Sequence, residues 1–246
     1  MDIRIIHLQK TGSTNDIALR RISEGVAGEG DVFWADEQTR GRGHGKNMWE
    51  SERGKNLTFS LVLQPRFIEP AQQFMITQAI SVALLRFLKK YITHNIKIKW
   101  PNDIYVGKKK IAGILIQNIL SGSRFDYSVV GVGLNVNQQH FYSNAPNPVS
   151  MIHFTRKALP TEALLNELLT DIGGLYSRLA SPLFLKELTG IYTNNLFRLE
   201  EWSGFQSGKK PFRAKITGIG PYGRLILQME NGKEKQFGFK EVEFVM

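Results

Sequence analysis

Lys-Trp-Pro-Asn-Asp-Ile-Tyr-Val-Gly-Lys-Lys-Lys-Ile-Ala-Gly, residues 99–113, packs cations, an Asn-Asp pair and a turn between two runs that read as strands. Just upstream, Ile96, Ile98 and Trp100 alternate with Lys97 and Lys99. On an extended chain this puts the apolar set on one face and both ammonium groups on the other, so Lys99 is expected to point away from the core. Pro101 lacks an N–H and biases Trp100 away from helix, so the ladder should stop there and leave Asn102 and Asp103 at a strand end. Strand ends are where α/β proteins place ligand-binding groups. Beyond Gly107 come Lys108, Lys109 and Lys110, then a buried-strand run from Ile111 to Ile116 that contains Ala112 and Gly113. A small pair inside a strand suggests that a ligand or another backbone comes close. A solvated lysine-rich turn explains Lys108 or Lys109 taken singly, but not the whole combination.

Working outward, Ile3 to Leu8 reads as a strand, and Ser13, Thr14 and Asn15 precede a helical pattern closed by Gly25. They suit a helix N-terminus, which can also hydrogen-bond a polar ligand head. Asp31 to Ala35 reads as a strand leading into a loop in which Gly41, Gly43 and Gly45 alternate with Arg40, Arg42, His44 and Lys46, between Gln38 and Trp49. Such a backbone can approach an anion while cationic side chains fold over it. It lacks the P-loop spacing. No apolar anchor lies between Thr39 and Asn47, so the loop is expected to be mobile until a ligand supplies contacts. Asn56 to Leu63 reads as a strand, and Ala71 to Tyr91 as a helix with one apolar stripe. Phe125 to Asn137 reads as a buried strand containing Gly131 and Gly133, and Phe141 to Pro160 as a surface loop. Two helices follow, from Thr161 to Leu179 and from Pro182 to Asn194, before short β runs at Phe212–Thr217, Arg224–Met229, Lys235–Phe239 and Val242–Val245. Residues 1–195 therefore read as one large domain, which the resemblance given below makes the catalytic one, and 196–246 as a small β-barrel.

Composition narrows the class. No Cys is present, which excludes disulfides, a thiolate nucleophile and a Cys-based metal site and fits a cytoplasmic, reducing compartment. No apolar run is long enough for a membrane span. A net charge of +10 points either to nucleic acid or to an anionic small molecule. The cations concentrate in the Gly-rich and Pro-bearing stretches, which favours a shaped phosphate pocket. Both a monomer and a homodimer are compatible with the sequence.

Trp-Pro-Asn-Asp followed by Lys-Ile-Ala-Gly resembles the signature of the biotin protein ligases. Ser-Thr-Asn, the basic loop, Gly-Val-Gly-Leu-Asn at 131–135 and a terminal barrel follow in that family's order. The resemblance implies an α+β fold: a mixed β-sheet core packed by helices, of the class II synthetase-like type, with a C-terminal SH3-like β-barrel. It implies an ATP-dependent ligase that forms biotinyl-5'-AMP and passes biotin to a lysine of a biotin carboxyl carrier protein, with Mg²⁺ on the phosphates and no firmly assigned metal ligand. Biotin contacts are expected at Ser13, Thr14, Asn15, Gln38 and Gly41, at Arg42, Gly43 and His44, and at Lys110, Gly113, Gly131 and Leu134. Nucleotide contacts are expected at Arg42, His44, Trp49, Lys99, Asn102, Lys110 and Asn135. Joining a carboxylate to a triphosphate brings two anions together, so Lys110, Arg42 and Lys99 are the candidate catalytic cations. Asp103 is the candidate acceptor of the carrier lysine's proton. His44 and Lys46 stand at or near places where the commoner loop has Arg. Some members carry a DNA-binding domain ahead of the core; this sequence begins at the core, so sequence-specific DNA binding is not expected. Two rival readings are a lipoate or octanoyl transferase, whose Arg-Arg-x-Ser-Gly-Gly-Gly loop is absent, and a basic nucleic-acid-binding protein.

Overall fold

Period-two patterning lays down the centre of the molecule, a seven-stranded mixed sheet. The computed structural model describes residues 1–45, 47–122, 124–143 and 147–245. The strands are β1 (Arg4–Thr11), β2 (Asp31–Gln38), β3 (Leu57–Leu63), β4 (Ile96–Lys99), β5 (Asp103–Val106), β6 (Lys109–Ser121) and β7 (Arg124–Leu134), in the order β1-β2-β3-β7-β6-β5-β4. β1 and β2 run parallel, and the remaining neighbours are antiparallel. Among the described residues five helices accompany them: α1 (Thr14–Ser23), α2 (Phe74–Lys89), α3 (Ile152–Thr155), α4 (Thr161–Tyr176) and α5 (Pro182–Asn194).

The two faces of the sheet differ. Leu57, Phe59, Leu61 and Leu63 of β3 join Val130, Val132 and Leu134 of β7 in a large core with α2, α4 and α5. Val62 and Val129 face the other way, against Ala18 and Ile17 of α1. Thr58, Ser60, Gly131 and Gly133 have that second parity, so one sheet face is floored by small and polar residues. The expected single stripe of α2 is wider than the spacing suggests: Val82 and Leu85 are buried along with it, because α4 and α5 cover the outer side. A helix apolar on nearly all sides belongs inside. α2 begins at Phe74, after a 3₁₀ turn at Pro70–Gln72, rather than at Ala71.

The C-terminal segment forms a second, antiparallel sheet of β8 (Trp202–Ser207), β9 (Lys210–Ile219), β10 (Leu225–Met229), β11 (Glu234–Phe237) and β12 (Glu243–Phe244), in the order β11-β10-β9-β8-β12. The expected closed barrel is corrected to an open sheet, since β11 and β12 are its edges and do not pair among the described residues. The expected run to Phe239 stops at Phe237, where Gly238 donates its N–H to Glu241 Oε2 and Lys240 takes φ +66°, turning the chain out of the ladder. The Trp100 indole N–H, bonded to the Gly223 carbonyl at 2.9 Å, ties this sheet to the first.

Candidate functional site

A cavity of about 810 Å³ lies over the small-residue face. Its floor is set by cross-strand register: Thr58 pairs with Gly133, Ser60 with Gly131, Leu115 with Gly131 and Gly113 with Gly133. The glycines are required by what lies on them. A Cβ on Gly131 would stand 2.3 Å from Asn15 Oδ1, and one on Gly133 would stand 2.3 Å from Trp49 Cε2.

At one end the start of α1 supplies Ser13, Thr14 and Asn15, all nearly buried. Ser13 occupies the N-cap position without a side-chain cap bond; Gln38 Oε1 instead accepts the Thr14 N–H at 2.7 Å. Ser60 Oγ lies 2.7 Å from Thr14 Oγ1 and 2.6 Å from Asn15 Oδ1. This end of the cavity is thus hydroxyl and amide groups wired into the sheet.

Cations line the middle. β6 carries a one-residue bulge opposite β5: Ile104 pairs with Ala112 and Tyr105 with Lys110, leaving Ile111 as the extra residue. The bulge brings Lys110 onto the same face as Gly113, and its Nζ would lie 3.2 Å from a Gly113 Cβ. Lys110 Nζ forms an ion pair with Asp103 Oδ1 at 2.7 Å and lies 5.6 Å from the centre of the Trp49 ring. Lys99 faces away from the core as expected, its Nζ 3.2 Å from the Tyr105 hydroxyl and 5.2 Å from the Phe244 ring centre. Burial, opposed by Asp103 and reinforced by Lys110 and Arg198, lowers the Lys99 pKa. Asn102 donates from Nδ2 to the Ile114 carbonyl at 2.5 Å, squaring the strand end.

The basic loop closes the mouth. Arg42 is exposed and paired with Asp16 of α1 at 3.1 Å. His44 lies edge-on to Phe239 with ring centres 3.9 Å apart, so the second sheet provides the aromatic anchor that the loop's own sequence lacks. Burial, with nearby Lys240 adding to it, holds the His44 pKa below its ordinary value, which disfavours the charged ring where it packs on Phe239. Lys46 lies outside the described residues. After Trp49 the chain is clamped: Glu50 accepts the N–H groups of Tyr142 and Ser143 at 2.9 and 2.8 Å, and Gln138 Oε1 accepts that of Glu52 at 2.9 Å.

The cavity therefore gathers Ser13, Thr14 and Asn15, with Gln38, Arg42, Gly43 and His44, and Trp49, Lys99, Asn102, Asp103, Lys110, Gly113 and Gly131. It does not gather three others. Leu134 is fully buried in the main core, as the parity opposite to Gly133 requires. Asn135 is turned toward the Val149 carbonyl, and Gly41 sits under the Trp49 carbonyl, 2.5 Å from where its Cβ would be. The sequence reading overlooked Ser60, which is buried behind the cavity wall and bonds to Thr14 and Asn15, and it missed the wall that Phe239, Lys240 and Phe244 bring from the second sheet. Ser60 had a signal: with Thr58 it shares the strand parity of a polar face.

Residues 8–135 match the model of the Biotin/lipoate A/B protein ligase family, and the chain belongs to that family. Within it, the similarities run to biotin protein ligases. A bifunctional ligase/repressor of Bacillus subtilis is 34% identical over 140 residues, 56% of this chain but 42% of that protein's length. A biotin–[acetyl-CoA-carboxylase] ligase of Paracoccus denitrificans is 28% identical over 232 residues, 92% of this chain and 95% of that one. The biotin protein ligase of Aquifex aeolicus in complex with biotin and ATP superimposes with a TM-score of 0.82 at 25% identity, covering 98% of this chain and 99% of that chain. Among the described residues no helix is long and apolar enough to cross a membrane.

Proposed function

We propose that this protein joins the carboxylate of biotin to the α-phosphate of ATP, releasing pyrophosphate, and then transfers the biotinyl group to a lysine of a biotin carboxyl carrier domain. One observation carries the reading: a single cavity holds a wired hydroxyl and amide end, suited to a polar ring, next to Lys110 and Lys99 at the place where two anions would meet. In this reading residues 1–195 hold biotin and ATP, and residues 196–246 form a second domain that walls the mouth. Lys110 holds the acyl carboxylate and then the adenylate phosphate, and Lys99 and Arg42 offset charge on the phosphates. Each charge-assisted bond contributes about 1.5–3 kcal/mol. In the transfer step the carrier amine attacks the acyl carbon, AMP leaves, and the amine's proton passes to Asp103.

Among the described residues no three His, Cys, Asp or Glu side chains form a metal cage. Mg²⁺ bound with a nucleotide needs only one or two carboxylates besides phosphate and water. Asp103 fits that need: Lys110 engages its Oδ1, and its Oδ2 has no partner among the described residues. Such an ion would draw charge from the phosphates.

Biotin-dependent exchange of labelled pyrophosphate into ATP tests the reading. Exchange is expected with biotin and not with lipoate; the reverse pattern would favour the lipoate or octanoyl branch of the family. A second outcome concerns the loop. The Arg42 side chain is exposed and its ion pair with Asp16 is exposed too, worth about 0–1 kcal/mol, and the backbone around it closes only a short bridge to Met48. Trypsin should therefore cut after Arg42 readily in the free protein and at least several-fold more slowly with biotin and ATP bound. Equal rates would mean the loop does not close over its ligands.

A further inference from the structure

The amide of Asn15 has no donor left to offer. Its Nδ2 bonds to the Leu115 carbonyl at 3.3 Å and to Gln117 Oε1 at 2.8 Å, which uses both hydrogens. The orientation is fixed by the Leu115 carbonyl, because a backbone oxygen cannot accept from an amide oxygen. On the other side, Ser60 Oγ stands 2.6 Å from Asn15 Oδ1. A hydroxyl has one proton, and an amide oxygen only accepts, so Ser60 donates to Asn15 and the Thr14 hydroxyl donates its one proton to either Ser60 Oγ or Gln38 Oε1. What Asn15 presents to the cavity is one remaining lone pair on Oδ1. Ser13 beside it lines the same end and has no side-chain hydrogen bond among the described residues.

We infer that Gln117, which does not line the cavity, is a positioning and specificity-determining residue. By holding both Asn15 donors with Leu115, it keeps the closed end of the cavity an acceptor and so selects acids whose head group carries an N–H. The inference rests on the proposed function, and it adds a reason why a cyclic urea is taken while an acid with a sulfur ring and no N–H is refused. With such a head, Asn15 Oδ1 keeps its bond from Ser60, but its remaining lone pair loses water without gaining a ligand donor. Gln117 reaches this position because it shares the face of Gly113 and Leu115 along β6, one residue pair past the floor. Its neighbour on that strand, Asn118, points to Gln73 instead.

The test compares Gln117→Leu, Gln117→Glu and Gln117→Lys by pyrophosphate exchange at varied biotin and by calorimetric titration with biotin alone. A carboxylate accepts as well as an amide oxygen, so Gln117→Glu should stay within about twofold of wild type. Gln117→Leu frees one Asn15 donor to rotate into the site, and its KM and Kd for biotin should rise about tenfold with kcat little changed, a tenfold change being ~1.4 kcal/mol. Gln117→Lys sets a donor against the Asn15 amide and should raise KM at least as much; its polar tip keeps the test alive if the leucine variant does not fold. Wild-type KM in both the leucine and lysine variants, or a loss confined to kcat, would overturn the assignment. If wild type binds biotin yet shows no exchange, the proposed function fails, while the three dissociation constants still judge Gln117.

Discussion

Lys110→Gln is expected to lower biotin-dependent pyrophosphate exchange by about 10²- to 10³-fold, the usual scale for removing one preorganised charge stabiliser, while Lys108→Gln and Lys109→Gln remain within about twofold. The three lysines are consecutive, so net charge changes equally in each variant, and only placement differs. Lys108 and Lys109 are exposed at the hairpin turn. Lys110 is fixed from both sides: its N–H bonds to the Asn147 carbonyl at 2.9 Å and its own carbonyl accepts the Val149 N–H at 2.9 Å, while the bulge at Ile111 aims its Nζ at Asp103. The loss should appear mainly in kcat, because the cation acts where charge develops between carboxylate and phosphate. Lys110→Gln also leaves Asp103 without its ion-pair partner, so Lys110→Gln with Asp103→Asn should lose less than the sum of the two single changes. Similar losses at all three lysines would mean that a diffuse basic field, rather than a placed ammonium, drives the reaction.

The bulge also shows where sequence reading stops. Alternation around Ile96, Ile98 and Trp100 was enough to turn Lys99 toward the cavity, because β4 is regular. The same rule applied to β6 sends Lys110 and Gly113 to opposite faces; one extra residue, settled by pairing with β5 and by the strand-like run at Pro148, brings them together. Leu134 and Asn135 lie outside the cavity lining for a related reason. The motif places them beside Gly131 and Gly133, but parity buries Leu134 in the main core, and Asn135 follows the chain off the sheet to bond Val149. Phe239 and Phe244 lay beyond reach altogether, since they come to the cavity through docking of the second sheet about a hundred residues or more along the chain from the stretch they cover. That long-range contact also explains His44. As a member of a basic loop it reads as a charge, whereas packing against Phe239 and the nearby Lys240 disfavour its charged form. The barrel reading went astray in the same region, where a turn at Gly238 and Lys240 ends β11 early.

Gly131→Ala is expected to raise the KM for biotin by about 10- to 100-fold without unfolding the protein. The new methyl carbon would sit 2.3 Å from Asn15 Oδ1 and 3.0 Å from its Cγ, closer than such atoms approach, so one of the two must move. The strand will not: Gly131 is paired on both sides, with Ser60 of β3 and Leu115 of β6. Asn15 must therefore withdraw, breaking its bonds to Ser60 and Gln117. Leaving such buried groups unmatched costs about 1–3 kcal/mol, and the displaced amide no longer presents its oxygen to the ligand. The effect should be confined to biotin. The KM for ATP should stay within about twofold, because Lys99, Asn102 and Lys110 lie on β4, β6 and the turn after β4, away from the start of α1. Gly190→Ala, in α5 with nothing within 4 Å of the added carbon, is the matched control and should be neutral or stabilising by up to ~1 kcal/mol. Exchange kinetics at varied biotin and at varied ATP, together with thermal unfolding of both variants, check the outcome. An unchanged biotin KM in a folded Gly131→Ala protein would show that the ligand head does not rest against Asn15, and the acceptor role of that amide would fall with it.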